Sequence, residues 1–586
     1  MTDQLAPAPL TSRRPRPGEP WWKQSVIYQI YPRSFSDSNG DGIGDLQGIR
    51  DRLDYLQTLG VDVLWLCPVY PSPNRDGGYD ISDYRGVAPE FGTLDDWKAL
   101  VADLHARDMR LIMDLVVNHT SDEHPWFQQA RASKDSPYRD YYLWRPAREG
   151  REPSNWGSHF GGPAWTLDEP SGEYYLHLFS THQPDLNWDN PRVRAEIHDM
   201  MRWWLDLGID GFRMDTINML SKPPAFPDAA ARAGERFPVA SEHFIHGPRL
   251  FEYLAEMKAQ VLDHYDVMTV GETPDVTPEH GLAFTNAETG PLSMIFAFEL
   301  MHLDAGHAQT QRKWTKVPWS LAELRQITTR WQAGLHGVGW NSNFLSNHDV
   351  PRLVSRFGDD GEFRLASATL LATYLFALQG TPYIYQGDEL GLTNVAFSDI
   401  GEYRDIDTLN YYREQVNDLG RPPAEVLAEI HAKGRDNART PMPWTAEPNG
   451  GFTSGTPWIA LNPTYGQINA QQALADPDSI YWYYRDLIRL RHTYPVFVDG
   501  RYDLLLPDHQ TVFAFTRTTD DEQLLVLLNF GREVCELDWP GPPPLPTIQL
   551  LLANLPGAQP PQSTLTLRPY EARLYHTRTR AGDGLE

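Results

Sequence analysis

Short apolar runs alternate with helical segments along most of the 586-residue chain. The runs have the near-continuous apolar character of strands that are buried on both faces of a parallel sheet. Eight strands are predicted, at 26–32, 62–67, 111–117, 209–214, 267–271, 294–298, 343–346 and 383–385. Apolar residues at helical spacing separate them, for example in 46–59 and 363–378. Eight strand–helix units predict an α/β fold, a (β/α)8 TIM barrel with its chemistry at the C-terminal ends of the strands.

Two further regions interrupt or follow this pattern. A long irregular passage rich in Trp, Pro and Gly comes after the third strand and predicts an inserted, loop-rich domain. Short alternating runs at 512–516, 523–529, 547–552 and 565–574 predict a C-terminal all-β sandwich domain. The expected division is a disordered N-terminal segment 1–19, a barrel in 20–118 and 191–495, an inserted domain B in 119–190 and a C-terminal domain in 496–586.

Charge and cysteine content exclude several function classes. A formal net charge of −27 repels nucleic acid and anionic membranes, so neither is expected as a partner. The chain has no 18-residue apolar run and no apolar core of signal-peptide length near its N-terminus. The two cysteines, Cys67 and Cys535, suggest neither a disulfide framework nor a thiolate metal site. These features predict a cytoplasmic protein.

Three predicted strands end in carboxylates. They are Asp215 in 211–216, Glu272 in 268–273 and Asp349 in 344–349. In a barrel all three converge on one mouth. Retaining cleavage of a glycosidic bond needs a carboxylate nucleophile beside a protonated carboxylic acid, and crowding of like charges raises the pKa of that acid. Arg213 precedes Asp215 by two residues and is expected to keep it ionised.

Four ordered motifs carry a family resemblance. The stretches Asp114-Leu-Val-Val-Asn-His119, Gly211-Phe-Arg-Met-Asp215, Gly271-Glu272 and Asn347-His-Asp349 resemble the signature regions of the α-amylase superfamily. Further stretches at 78–84, 183–187 and 435–441 resemble its oligo-1,6-glucosidase and α-glucosidase branch. The resemblance implies that Asp215 is the nucleophile, Glu272 the acid/base and Asp349 the transition-state stabiliser. It implies that three polar residues surround the same sugar: His119, His348 and Arg213.

The same resemblance implies a pocket closed at one end. Tyr79 would stack on the glucose, and Asp80 would bind its 4- and 6-hydroxyls with Arg439 as partner. Such a closed end makes an enzyme exo-acting. Arg435 lies so close to Arg439 in the sequence that the two roles could be exchanged. Phe179 is a further candidate for an aromatic wall, with a core position as the alternative.

Thr216 directly follows the predicted nucleophile. In the branch that the motifs resemble, valine at this position accompanies α-1,6 preference, and a smaller or polar residue accompanies acceptance of α-1,4 bonds. At the end of a strand the turn can bring this side chain to the rim of the site. We therefore expect maltose-type bonds to be cleaved at least as well as isomaltose-type bonds. The alternative is that Thr216 only satisfies a backbone group.

The loop 37–45 places oxygen ligands at alternate positions, as the first half of an EF-hand does. Gly48 stands where an EF-hand has its twelfth-position Glu, so the loop is not an EF-hand. Members of the branch carry a similar loop, which implies one structural Ca²⁺, with Mg²⁺ left open. A solvated turn without metal is the alternative. The expected ligands are Asp37, Asn39, Asp41, Asp45 and the carbonyl of Ile43.

The sequence thus predicts a retaining, exo-acting α-glucosidase without an organic cofactor. It would release glucose from the non-reducing end of short α-glucosides, with α-1,4 bonds accepted and α-1,6 bonds open. Glucosyl-transferring or isomerising enzymes such as sucrose isomerases and trehalose synthases are alternatives, although the charged Arg-Leu-Asp-Arg-Asp loop of sucrose isomerases is absent before Asn347. A transporter-accessory scaffold is an alternative of another class. A small saccharide is the expected partner, and the oligomeric state, a monomer included, stays open.

Overall fold

A computed structural model describes residues 19–232, 235–305, 313–539 and 548–578. The segment 1–19, expected to be disordered, lies outside the described residues except for Glu19.

The predicted barrel is confirmed, with eight parallel strands in one sheet. The strands are Ile27–Ile30, Val63–Leu66, Arg110–Leu115, Gly211–Met214, Met268–Thr273, Met294–Ala297, Ser342–Asn343 and Thr381–Tyr385. Consecutive strands pair from the first to the sixth, and the eighth strand pairs with both the first and the seventh. A single parallel bridge between Ile295 and Asn341 closes the ring beside the two-residue seventh strand. The barrel is therefore nearly closed, with its thinnest seam between the sixth and seventh strands.

Helices surround the sheet. Their apolar faces supply buried residues such as Trp97, Leu100, Trp204 and Leu335 to the core. The barrel helices are Leu46–Arg50, Leu53–Leu59, Leu94–His105, Pro191–Asp206, Leu250–Gln260, Pro278–Thr285, Leu321–Leu335, Leu353–Phe357, Arg364–Ala377 and Ile480–Thr493. The single helix predicted over 46–59 is wrong, because the chain leaves helical geometry at Arg52, with φ −109° and ψ 6°.

The parallel register brings the strand-end side chains together. Asp114 on the third strand lies opposite Arg213 on the fourth. Met214, which precedes Asp215, lies opposite Gly271, which precedes Glu272. Because parallel strands end at the same edge of the barrel, these residues meet at one mouth.

The irregular passage after the third strand contains its own elements. They are helix Pro125–Ala132 and a three-stranded antiparallel sheet of Trp144–Pro146, Glu173–Leu176 and Trp165–Asp168, in that spatial order. A buried cation ties this region to the barrel: Lys222 Nζ lies 2.7 Å from Asp185 Oδ2 and 2.6 Å from Asn118 Oδ1. Replacing either Lys222 or Asp185 would lower the stability of the fold, because the remaining charge would be buried without a partner.

Long excursions lie between the barrel strands and helices. They carry helices Ser241–Phe244, Ile406–Tyr412, Pro423–Lys433, Asp436–Arg439 and Ala470–Ala475. Helix Val496–Asp499 then leads into the C-terminal region.

The C-terminal region is all-β, as predicted, with two antiparallel sheets in its described part. The five-stranded sheet has the order Arg501–Leu505, Val512–Thr518, Glu522–Asn529, Ala572–Arg578 and Gln549–Ala553, and the small sheet pairs Cys535–Asp538 with Thr564–Leu567. The single strand predicted over 565–574 is wrong. Pro569 lacks an amide proton and Tyr570 has a φ of 50°, so the chain turns there and forms two strands.

None of the helices in the described ranges has the length and apolar character that crossing a bilayer requires.

Candidate active site

One buried guanidinium holds three carboxylates at the mouth of the barrel. Arg213 Nη1 donates to Asp114 Oδ1 at 2.5 Å and to Asp215 Oδ1 at 2.6 Å. Its Nη2 donates to Glu272 Oε2 at 2.6 Å. The Arg213 side chain is 2% exposed, so these charge-assisted bonds form away from solvent. The structure thus brings together two of the three predicted catalytic acids.

The same surroundings give Asp215 and Glu272 different pKa values. Burial raises the pKa of Glu272 to about 8; the charge of Arg213 opposes this, and the charges of Asp215 and Asp349 add to it. Burial raises the pKa of Asp215 to about 6, again against Arg213. Two interacting carboxyls with pKa values driven apart have the electrostatics of an acid and a nucleophile.

Thr216 links both acids. Its backbone N–H donates to Glu272 Oε2 at 3.1 Å, and its hydroxyl lies 3.2 Å from Asp215 Oδ2, to which it donates. The residue has a φ of 37°, which is unusual for a β-branched side chain. This turn, directly after the fourth strand, points the backbone N–H at the neighbouring carboxylate.

Asp349, the third acid, is held from the far end of the chain. Its Oδ1 accepts from Arg439 Nη2 at 2.7 Å and from Arg435 Nη1 at 3.1 Å. Burial alone would raise the pKa of Asp349, but His348, Arg435 and Arg439 hold it well below its ordinary value. Asp349 is therefore ionised at the mouth where Glu272 stays protonated.

The predicted aromatic and histidine residues line the same mouth. The Tyr79 ring stacks on His348, with centroids 5.2 Å apart and planes 9° apart. His119 lies 5.1 Å from the half-buried Phe179. His119 Nε2 is 3.3 Å from the carbonyl of Tyr79. These contacts connect the four side chains, and Phe179 also packs against a buried apolar cluster, so its core alternative stays open.

The expected pair of Asp80 and Arg439 does not form. Asp80 is fully buried and accepts hydrogen bonds from Ser72 Oγ and the backbone N–H groups of Arg75 and Asp76, so it fixes its own turn. Asp76 takes the expected place instead. Its Oδ1 accepts from Arg435 Nη2 at 3.0 Å. The sequence left open that Arg435 replaces Arg439 as the partner of Asp80, but Arg435 bonds Asp76, and the bonds of Asp80 are to Ser72 and to the backbone of its own turn.

Four residues of this mouth were not predicted from the sequence: Asp76, Phe160, Gln183 and Asp405. Gln183 donates to Asp76 Oδ2 at 3.0 Å, and Arg435 lies over the Phe160 ring at 5.2 Å. Asp405 accepts from Arg435 Nε at 2.8 Å. Of the four, Asp76 had a usable signal, since it stands three residues before Tyr79 in a Gly-rich turn. The others come from loops whose positions local sequence does not fix.

The loop 37–45 has the backbone that tight oxygen ligation requires. Gly40 and Gly42 have φ values of 85° and 93°, and a Cβ on Gly42 would lie 1.9 Å from the carbonyl of Thr456. All of the side-chain donor atoms are oxygens, which suits Ca²⁺ or Mg²⁺.

The four expected side-chain ligands all accept hydrogen bonds within the protein, and two of them accept several. Asp37 accepts from three backbone N–H groups and from the Thr453 hydroxyl, and Asp45 caps a helix by accepting from the N–H of Gly48. Partial burial would raise the pKa of Asp37, but these bonds lower it. In the described ranges no group of three His, Cys, Asp or Glu side chains forms a metal cluster, so an ion here would depend on Asn39 and the Ile43 carbonyl as well. The donor set fits a hard cation.

Comparison with known proteins agrees with this geometry. The model of the alpha-amylase catalytic domain matches residues 29–500, and that of the alpha-amylase SusG C-terminal domain matches 512–573. An oligo-1,6-glucosidase of Parageobacillus thermoglucosidasius is 55% identical, with 95% of this chain and 99% of the relative covered. An alpha-glucosidase of Pediococcus pentosaceus is 48% identical over 95% of this chain and 98% of the relative.

A solved structure of the trehalulose synthase MutB is also similar, with a TM-score of 0.91 and 44% identity over 95% of this chain and 100% of that one. Similarity thus extends over almost the entire chain, through the barrel and the C-terminal region. The chain belongs to the alpha-amylase family of glycoside hydrolases, in the branch of the oligo-1,6-glucosidases and α-glucosidases.

Proposed function

We propose that this glycoside hydrolase is a retaining, exo-acting α-glucosidase that releases glucose from the non-reducing end of short α-glucosides. The observation that carries the proposal is the pair Asp215 and Glu272 on one guanidinium, with the pKa of Glu272 raised above that of Asp215. Retaining glycoside cleavage requires such a pair, with one group ionised and the other protonated.

The reaction has two displacements. An Asp215 oxygen attacks the anomeric carbon while Glu272 gives its proton to the leaving glycosidic oxygen, which yields a β-glucosyl-enzyme and the free aglycone. Glu272, now ionised, takes a proton from water, which attacks the same carbon and releases α-glucose and Asp215. Asp349 binds the 2- and 3-hydroxyls of the reacting glucose, with Arg213, His119 and His348 as polar neighbours. The Asp349 carboxylate stabilises the positive charge that develops at the anomeric carbon in both transition states.

Exo action follows from the charged wall at one end of the mouth. We infer that Asp76 and Arg435 bind the 4- and 6-hydroxyls of the terminal glucose, the role the sequence suggested for Asp80 and Arg439. Gln183 orients Asp76, and Phe160 lies against Arg435. Tyr79 and Phe179 supply the aromatic surface. A substrate whose terminal glucose fills this end cannot extend past it.

Transfer or isomerisation is the second candidate, and the similarity to a trehalulose synthase favours keeping it. The glucosyl-enzyme can be resolved by a sugar hydroxyl in place of water. The stretch before Asn347 reads Gly334-Leu-His-Gly-Val-Gly-Trp340 and lacks the charged loop of sucrose isomerases. Product analysis on sucrose separates the two: glucose and fructose support hydrolysis, and an isomeric disaccharide supports the alternative.

We also propose that the loop 37–45 binds one Ca²⁺ through Asp37, Asn39, Asp41, Asp45 and the Ile43 carbonyl.

The cytoplasmic location expected from the sequence stays a prediction that cell fractionation would test. Both cysteines are free, which is compatible with a reducing compartment.

Replacing the acids tests the proposed function directly. Asp215→Ala and Glu272→Gln should each lower kcat on maltose by roughly a thousandfold or more, because each removes a step of the double displacement. Circular dichroism and the melting temperature serve as folding controls. Glu272→Gln should keep more activity on an aryl glucoside whose leaving group needs no proton. Retention of over a tenth of the maltose activity in either variant would rule out the assignment.

The pH profile tests the separation of the two pKa values. The plot of kcat/KM should be bell-shaped, falling below about pH 6 as Asp215 gains a proton and above about pH 8 as Glu272 loses one. In Glu272→Gln, assayed on the activated aryl glucoside, the alkaline decline of the glycosylation step should disappear while the acid limb remains. A parent enzyme whose kcat/KM stays level well above pH 8 contradicts the role of Glu272.

Thr216 tests linkage preference. We expect Thr216→Val to shift the ratio of kcat/KM toward isomaltose over maltose by about tenfold, because one hydroxyl is worth about 1 kcal/mol when partnered. Valine keeps the β-branched shape at this left-handed position, so backbone strain is matched. The relatives' names include α-1,6 cleavage, so a strong isomaltose preference in the parent would overturn the expected acceptance of α-1,4 bonds. An unchanged ratio of kcat/KM in Thr216→Val would overturn the proposed role of Thr216.

Metal removal tests the loop. Chelation should lower the parent's melting temperature, since an ion present at a hundred times its Kd stabilises by about 2.7 kcal/mol. Asp41→Ala should abolish the response to chelator; it is the cleaner variant because the Asp41 carboxylate accepts from one backbone N–H, that of Ile43, whereas Asp37 accepts four hydrogen bonds. Identical parent melting curves with and without chelator argue against the site.

A further inference from the structure

His348 is clamped between two aromatic rings. The Tyr79 ring stacks on one side with centroids 5.2 Å apart, and the Tyr31 ring lies nearly parallel to it at 6.2 Å. The edge of Trp65 meets the imidazole at 6.1 Å. This packing on three rings restrains the imidazole and the directions of its two nitrogens. What remains to be set is which nitrogen carries the proton.

The Nε2 side of His348 faces a negative charge. Nε2 lies 3.1 Å from Asp349 Oδ2, and Asp349 is kept ionised by Arg435 and Arg439. A lone pair at this distance from a carboxylate is repelled, so Nε2 must carry a proton. Nε2 makes no well-directed hydrogen bond, which leaves its N–H available to a sugar hydroxyl. Burial lowers the pKa of His348 to about 3, so the ring is neutral and holds one proton.

The Nδ1 side must then accept, and Gln29 supplies the donor. Gln29 lies on the first barrel strand, is 1% exposed and has Nε2 2.8 Å from His348 Nδ1. The amide also reaches Cys67 Sγ at 3.3 Å, a weak acceptor. The oxygen of Gln29 cannot take this place, because it would require a second proton on the neutral ring. The orientation of the amide therefore follows from that of the imidazole.

We propose that Gln29 is a positioning residue that holds His348 in the tautomer with its proton on Nε2. Gln29 touches no substrate and acts through the imidazole, which presents its N–H to a hydroxyl of the reacting glucose. The inference rests on the proposed function, since it assumes that a glucoside occupies the mouth. Gln29 in the barrel core donates to His348 Nδ1, and His348 in turn presents its Nε2–H to the sugar beside Asp349.

Three variants separate this role from a packing role. Gln29→Met keeps the size of the side chain but donates nothing, and kcat/KM should fall about tenfold, the effect of one well-placed hydrogen bond. Gln29→Glu places an acceptor where a donor is required. Cys67→Ala removes the other partner of the same amide and is the matched control, with kcat/KM within about twofold of the parent. Melting temperatures of all three report on packing.

The pH profile gives a signature that packing would not produce. In Gln29→Glu at low pH, either the new carboxyl or the imidazole holds the extra proton, and Nε2–H remains available. As pH rises that proton leaves, the remaining one moves to Nδ1, and Nε2 presents a lone pair to Asp349 and the sugar. Activity relative to the parent should therefore decline with increasing pH, whereas Gln29→Met should lose a constant factor. The charged and phenolic groups around His348, unchanged in all variants, are Asp349, Arg213, Arg435, Arg439, Tyr31 and Tyr79.

Monodeoxy substrates complete the test. With aryl α-glucosides that lack the 2- or the 3-hydroxyl in turn, Gln29→Met should cost less on the substrate that lacks the hydroxyl bound by His348. Equal losses on every substrate, or a pH-independent ratio for Gln29→Glu, would overturn the inference. If the parent hydrolyses no α-glucoside, the proposed function itself fails; if the parent is active and Gln29→Met equals it, the failure belongs to Gln29 alone.

Discussion

The guanidinium of Arg213 is the interaction on which the candidate site depends. It is nearly devoid of solvent contact and bonds Asp114, Asp215 and Glu272 together. Three carboxylates with one cation cannot all ionise cheaply in a buried place, so one of them keeps a proton. The barrel register decides which side chains share this cation, because it sets the third, fourth and fifth strands side by side. The fold thus gives two neighbouring carboxyl groups different tendencies to hold a proton.

A second set of charges closes the mouth from the other side. Arg435 bonds Asp76, Asp349 and Asp405, while Arg439 bonds Asp349 and the carbonyl of His348. Both arginines donate to one oxygen of Asp349, so it stays ionised beside a protonated Glu272. The two networks keep opposite protonation states a short distance apart.

Features that depend on local sequence were predicted more accurately than features that depend on contacts between distant parts of the chain. Asp215 and Glu272 were predictable because each ends or nearly ends an apolar strand, and strand ends in a barrel face one place. That Asp76 and not Asp80 bonds Arg435 was harder to predict, since both lie in one turn and the folded path of that turn directs Asp80 toward its own backbone. Gln29 gave no signal for the same reason: its role depends on His348, which lies 319 residues further along. The break at Arg52 and the turn at Tyr570 show that apolar spacing alone overestimates the length of an element.

The position of Arg435 and Arg439 in the chain has a consequence for the order in which the enzyme is made. Synthesis proceeds from the N-terminus and domains fold as they emerge. All eight barrel strands have emerged by Tyr385, yet the cations that hold Asp76 and Asp349 come some fifty residues later. A nascent chain therefore has a complete set of acids before it has a pocket that can orient them. The ability to bind a sugar productively should arrive late in translation, after all eight barrel strands have been made.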